Sequence, residues 1–156
     1  TPPWFVEALI AAMQGDAAAQ VATPVLRCDA PAYHNFIEDR RAGRVGGTTA
    51  VFEHSGRALY FSKEVIPYIA PGDLPDPVPV FHHVGVYAYR PEALRAYMAA
   101  PVGVLEREEG LEQLRFLENG MDLRCVEVTA QGRTFWELNN PEDIPRIEAA
   151  LTEIAS

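Results

Sequence analysis

The sequence predicts an α/β fold, a mixed sheet with helices packed on it. Three observations carry that expectation. Apolar residues recur at helical spacing in several separate runs. Short runs rich in β-branched and aromatic residues lie between them, bounded by Gly, Pro and Asn. The order reads helix–strand–helix–hairpin–strand–helix–helix–strand–strand–helix, which layers helices on a sheet. With 156 residues the chain is long enough for one domain with its own core.

Thr1-Pro2-Pro3 resembles a helix start, a hydroxyl cap followed by prolines where a missing N–H costs least. Trp4, Phe5, Ala8, Leu9 and Ala12 then recur at helical spacing, and Gly15-Asp16 closes the run. Val21–Leu26 reads as a strand in which Pro24 favours an edge or a bulge. Asp29 is placed to cap a helix over 31–42, ended by Gly43. Thr49–Glu53 and Arg57–Ser62 read as a β-hairpin turning at His54-Ser55-Gly56. Five prolines in Pro67–Pro79 exclude regular helix or central strand there, and such a stretch is commonly a flap or an oligomer contact.

Phe81–Arg90 reads as one buried strand, the spine of the sheet. Alternation puts Val84, Val86 and Ala88 on one face with His82, and His83, Gly85, Tyr87 and Tyr89 on the other. Fully extended, that strand would hold His83 and Tyr87 about 13 Å apart, lining one groove. The polar face offers an imidazole, a bare glycine and phenols to a polar ligand. Opposite faces for His82 and His83 disfavour a two-histidine metal site. Pro91–Ala100 and Leu105–Glu118 follow as helices, Leu123–Thr129 and Arg133–Leu138 as strands, and Pro141–Ile154 as a last helix with Ile144, Ile147, Leu151 and Ile154 inward. Glu106, Glu108 and Glu109 read as a solvated acidic run, and Asn140 as a helix cap.

A formal net charge of −9 argues against a nucleic-acid or anionic-membrane surface. No apolar run approaches the ~20 residues of a membrane span, and nothing in the sequence argues for export, so the expected location is cytoplasmic. Cys28 and Cys125 lie in no metal-ligand spacing and read as idle thiols.

Four segments taken together resemble the CMP-Kdo synthetases, the 3-deoxy-manno-octulosonate cytidylyltransferases. Ala58–Lys63 with Ile66-Pro67 is similar to that family's "ALYFSR…IP". His83–Arg90 is similar to its "HxGxYxYR", and Leu105-Glu106, Glu109 and Leu111–Arg115 to its "LE…E.LEQLR". Asn140-Pro141-Glu142-Asp143 stands where the family has "DTPED". The order and spacing match over most of the chain.

The resemblance implies a nucleotide-diphospho-sugar transferase fold of Rossmann-like type. It implies transfer of a cytidylyl group from CTP to a Kdo-like sugar acid, with two magnesium ions activating the sugar hydroxyl and neutralising phosphate. His83, Tyr87, Glu112 and Gln113 would meet the sugar acid. Lys63, where the family has arginine, would meet its carboxylate as a point charge rather than a fork. Asn139 stands where a magnesium-binding aspartate is expected and brings an oxygen without charge, with Glu137 and Asp143 nearby to compensate. Gly46-Gly47-Thr48-Thr49 departs from the family's "NPNxVK", which leaves the sugar acid, including a neuraminate-like one, open. The resemblance further implies a homodimer, and that this chain is the carboxy-terminal, sugar-binding part of an enzyme whose CTP loop lies elsewhere. No catalytic residue is assigned within it. A non-catalytic sugar-acid-binding or dimerisation module is the alternative.

Overall fold

The computed structural model describes residues 1–133 and 135–155, with side chains described through residue 149. Its elements are α1 (Pro3–Gly15), β1 (Val21–Arg27), α2 (Ala30–Arg41), β2 (Thr48–Phe52), β3 (Ala58–Ser62), β4 (Phe81–His83), β5 (Ala88–Tyr89), α3 (Pro91–Ala99), α4 (Val104–Glu109), α5 (Leu114–Glu118), β6 (Arg124–Val128) and α6 (Asp143–Ala155). The strands form one mixed sheet in the order β3-β2-β4-β1-β5, with β6 parallel to β1 on its other side. A bridge between Arg57 and Arg124 brings the start of β3 onto β6, so the sheet curls.

Local chemistry accounts for the elements. The Asp29 carboxylate accepts from the Ala32 N–H at 2.8 Å and caps α2 as its sequence predicts. In α1 the cap position is Pro2, without a side-chain hydrogen bond, rather than the Thr1 hydroxyl. Gly56 takes φ +88° in the hairpin turn, a conformation glycine adopts without penalty. The main core joins Val21, Val25, Ala50, Phe61, Leu114, Phe116, Leu123 and Cys125 under the curled sheet. A second cluster packs Val78 and Val80 from the proline-rich segment, with Ile69 and Leu74 beside them, onto Cys28, Phe36 and Trp136. That segment is therefore packed cover, irregular as its prolines demand.

Four further expectations are corrected. The strand Phe81–Arg90 is two short strands. Val25 pairs with His83 and Ala22 with Ala88, so Val84, Gly85, Val86 and Tyr87 oppose only Thr23 and Pro24. The cause is Pro24. Its carbonyl accepts from Val84 N–H at 3.1 Å, so the side of β1 facing the bulge lacks a donor where the ladder needs one. The helix expected over Leu105–Glu118 is also two. Gly110 at φ +61° ends α4, and the Glu118 carboxylate accepts from the Leu105 and Glu106 N–H groups at 3.0 Å each, capping α4 from its neighbour. Finally, residues 135–139 are not strand, and Ile144 is half exposed rather than inward. The expectation for Thr134, and the side-chain placement of Leu151 and Ile154, fall outside the described residues.

Candidate functional site

The bulge opposite Pro24 folds Tyr87 back towards His83. Their ring centroids are 5.6 Å apart, against the roughly 13 Å of an extended strand. His83 is 5% exposed, packs edge-on to Phe61 at 5.0 Å, and its Nε2 lies 3.0 Å from the Thr23 hydroxyl. Burial, with the nearby His82 adding to it, lowers its pKa to about 4, so the ring is neutral at ordinary pH. Tyr87 stacks on Tyr89, which stacks on Phe116. Burial, and then the charges of neighbours that include Glu112, push both phenols up, Tyr89 to about 12. Glu112 is thus an electrostatic neighbour of the tyrosine pair.

Gln113 is 3% exposed, and its amide nitrogen has no hydrogen-bond partner among the described residues. An unmet buried donor costs about 1–3 kcal/mol, which a ligand acceptor would recover. Lys63 follows β3, and a Cβ placed on Gly110 would stand 2.8 Å from the Lys63 ammonium, so the glycine leaves the lysine room. The structure thus brings His83 and Tyr87 together with Glu112 as their charged neighbour, sets Gln113 next to Glu112 at the start of α5, and puts Lys63 against the turn between α4 and α5.

Glu109 was expected in a solvated run and is not. Its carboxylate accepts from the Ser62 hydroxyl at 2.7 Å, the Lys63 N–H at 2.9 Å and the Tyr60 hydroxyl at 3.3 Å. It ties the end of β3 to α4 and fixes the backbone from which Lys63 projects. Glu106 likewise forms a two-pronged pair with Arg115, shielded from solvent. Neither role was visible in the sequence, because acceptor and donor come from distant segments. Thr23, buried in β1, was also missed.

The expected metal position is held by a polar network. Asp39, 1% exposed on α2, accepts from Arg44 at 2.8 Å and Arg146 at 2.9 Å. Burial raises the Asp39 pKa, but those guanidiniums outweigh it and hold the carboxyl below the ordinary range. Asp143, fully buried, accepts from Trp136 Nε1 at 2.6 Å, from the N–H groups of Asn139 and Asn140 at 3.0 and 2.7 Å, and from Arg146 at 3.1 Å. The Asn139 amide donates to the Gly46 carbonyl at 3.1 Å and the Asn140 amide to the Val45 carbonyl at 2.8 Å. Asn140 thus straps the start of α6 to the loop before β2, and Asp143 caps it from within. Glu137 stands 3.5 Å from His82 Nε2. Among the described residues no three His, Cys, Asp or Glu side chains come together as a cation cage. As a magnesium site the residues fit poorly: Asp143 is committed to four donors, and Asn139 offers one uncharged oxygen.

Clefts also lie elsewhere. One of about 450 Å³ is lined by Arg27, Asp29, Asn35, His82, Arg133 and Trp136, among others, and two larger ones of about 580 and 590 Å³ flank Phe81 and Pro77; none of the three includes an expected sugar residue. Burial pushes the Cys28 thiol on the wall of the first up to about 12, and Cys125 likewise, consistent with inert thiols. No helix of the described residues is long and apolar enough to cross a membrane.

Comparison with known proteins agrees with the motifs. Over 150 residues the chain is 35% identical to the 3-deoxy-manno-octulosonate cytidylyltransferase of Maricaulis maris, covering 96% of this chain and 57% of that protein. Over 80 residues it is 50% identical to that of Chlorobaculum tepidum, covering 51% of this chain and 32% of the relative. The solved structure of a CMP:2-keto-3-deoxy-manno-octonic acid synthetase complexed with CTP superposes with a TM-score of 0.73 at 30% identity, over 98% of this chain and 57% of that one. The chain thus spans a little over half the length of the full relatives it matches. Residues 44–123, which hold the hairpin, the bulge, Lys63, His83, Tyr87, Glu112 and Gln113, match the cytidylyltransferase family model, and the chain belongs to that family.

Proposed function

We propose that this chain supplies the sugar-acid side of a CMP-sugar synthetase, in which CTP and a 3-deoxy-octulosonate acid give the CMP-sugar and pyrophosphate. The observation that supports the reading is the close pair His83–Tyr87 with Glu112 as its charged neighbour, and the unmet buried amide of the adjacent Gln113, within a family match to cytidylyltransferases. Sugar hydroxyls need paired donors and acceptors, and these four side chains supply both. Lys63 would meet the sugar carboxylate. The anomeric hydroxyl would attack the α-phosphorus in line, with pyrophosphate leaving. Within this chain the contribution is to hold and orient that hydroxyl in a partly dehydrated site, which is where much of the rate gain in such transfers originates.

Magnesium belongs to the same proposal and would neutralise phosphate charge when bound. Because Asn139 and Asp143 fit a hard cation poorly, its charged ligands would come from outside these residues, with Asn139 offering at most one neutral oxygen. A homodimer is proposed as well, supported by exposed Leu94, Met98, Val102 and Val104 on and after α3. A cytoplasmic location is part of the same proposal.

Magnesium-dependent pyrophosphate release tests the reading. A polypeptide joining a CTP-binding part to this chain should release pyrophosphate only with the sugar acid present, and the 156 residues alone should not turn over CTP. Turnover by the 156 residues alone would refute the division of labour. The second reading, a sugar-acid-binding module without catalysis, is favoured by the uncharged Asn139 and the committed Asp143. It predicts sugar binding without pyrophosphate release in the longer polypeptide.

A further inference from the structure

The Thr23 hydroxyl is fully buried and meets three polar atoms across the bulge. His83 Nε2 is at 3.0 Å, the Val86 carbonyl at 2.9 Å and the Val84 carbonyl at 3.2 Å. A hydroxyl has one hydrogen and two lone pairs, and a carbonyl can only accept. If the hydrogen goes to a carbonyl, Nε2 must bring its own hydrogen to the Thr23 oxygen. If the hydrogen instead went to Nε2, the threonine would satisfy neither carbonyl. Val84 also accepts from the Val86 N–H at 2.7 Å, whereas the threonine is the donor the structure gives to Val86. Leaving that carbonyl unmet beside a buried hydroxyl is costly. The network therefore selects the first arrangement, and in a neutral imidazole this leaves Nδ1 as the acceptor.

We propose that Thr23 is a positioning residue for the sugar-acid site: its hydroxyl pins the four-residue bulge and holds the His83 ring in its Nε2–H form, making Nδ1 the acceptor available to a sugar hydroxyl. The proposal rests on the sugar-acid reading of His83 for its consequence but not for its geometry. Its three contacts join β1 to both ends of the Val84–Val86 turn, so one side chain sets the distance from His83 to Tyr87 and the direction of the hydrogen bond His83 can make. A valine here keeps the shape and loses all three contacts. A serine keeps the hydroxyl.

Nitrogen NMR of the whole chain labelled at histidine tests this directly. The chain has four histidines, and the His83 signals are assigned by their loss in His83→Gln. The expected result is a pyrrole-type Nε2 and a pyridine-type Nδ1 in the unsubstituted protein and in Thr23→Ser. In Thr23→Val the ring should become a mixture of both forms. Titration with 3-deoxy-manno-octulosonate should then show binding about five- to ten-fold weaker for Thr23→Val, the loss of roughly one hydrogen bond, with Thr23→Ser close to the parent. A proton on Nδ1 in the unsubstituted protein overturns the proposal, and that spectrum needs no variant to fold. So does a Thr23→Val protein that keeps both the Nε2–H form and the parent affinity. If the parent does not bind the acid while its ring is Nε2–H, the positioning geometry stands and the sugar-acid reading falls.

Discussion

The His83 and Tyr87 rings pack 5.6 Å apart because Pro24, the residue before the partner of His83, has no N–H to offer the ladder. The strand swells by two residues at that point, and the swelling turns two side chains that would line a long groove into neighbours. One proline on β1 thus shapes the far end of a different strand.

Acid should destabilise the fold through His83. Its pKa is about 4 when folded against an ordinary 6.5, so the unfolded chain binds the proton more readily. The stability associated with the neutral ring is complete above pH 6.5 and is lost as pH falls from there towards 4. At ~1.4 kcal/mol per pH unit that gap corresponds to about 3 kcal/mol. Urea denaturation at pH 7.5 and pH 5 should show a clear loss for the parent and a smaller one for His83→Gln. Equal losses would remove His83 from the account.

Asp39→Asn should be costly although the residue sits in the last turn of a surface helix. It removes the buried charge that Arg44 and Arg146 pair with, turns one acceptor oxygen into an N–H donor facing a guanidinium, and loosens the start of α6 from α2. Both arginines are partly exposed and can rehydrate, so we expect about 2–3 kcal/mol, below the range for fully buried pairs. The midpoint in urea checks this, and a shift within error would contradict it.

Gly110→Ala should act on Lys63. At φ +61° a side chain costs about 1–2 kcal/mol, and the new methyl would also displace the ammonium 2.8 Å away. Sugar-acid affinity should fall in Gly110→Ala. In a Lys63→Ala background the same change should leave the remaining affinity nearly unaltered, because the two effects share one contact. Additive losses would contradict the coupling.

Asn139→Asp should lower stability by about 1–2 kcal/mol without divalent cation. It replaces the donor to the Gly46 carbonyl with an anion and sets it near Asp143. Millimolar magnesium should restore part of the loss by giving the new carboxylate a partner. Thermal melts with and without magnesium check both halves, and a variant indifferent to magnesium would argue against a cation near residue 139.

Much of the layering was legible because periodicity reports burial one element at a time. The hairpin, α2 with its Asp29 cap, and β6 lie within a residue or two of their expected places. The motifs marked His83, Tyr87, Glu112 and Gln113 as a group. The split of the central strand was half legible: Pro24 announced a bulge, but the swelling falls on its partner, which only pairing reveals. Glu109 and Asp39 were illegible for a related reason. An acidic residue in a helical run reads as solvated until the donors from β3 or α6 are known to arrive beside it.

Calorimetric titration of 3-deoxy-manno-octulosonate into this chain, beside Gln113→Ala and Tyr87→Phe, tests the central claim most directly. The account predicts saturable binding to the parent, weakened by about ten-fold or more in Gln113→Ala, whose buried amide is left seeking an acceptor, and by a smaller factor in Tyr87→Phe. Binding unchanged by both substitutions, or no binding by the folded parent, would contradict it.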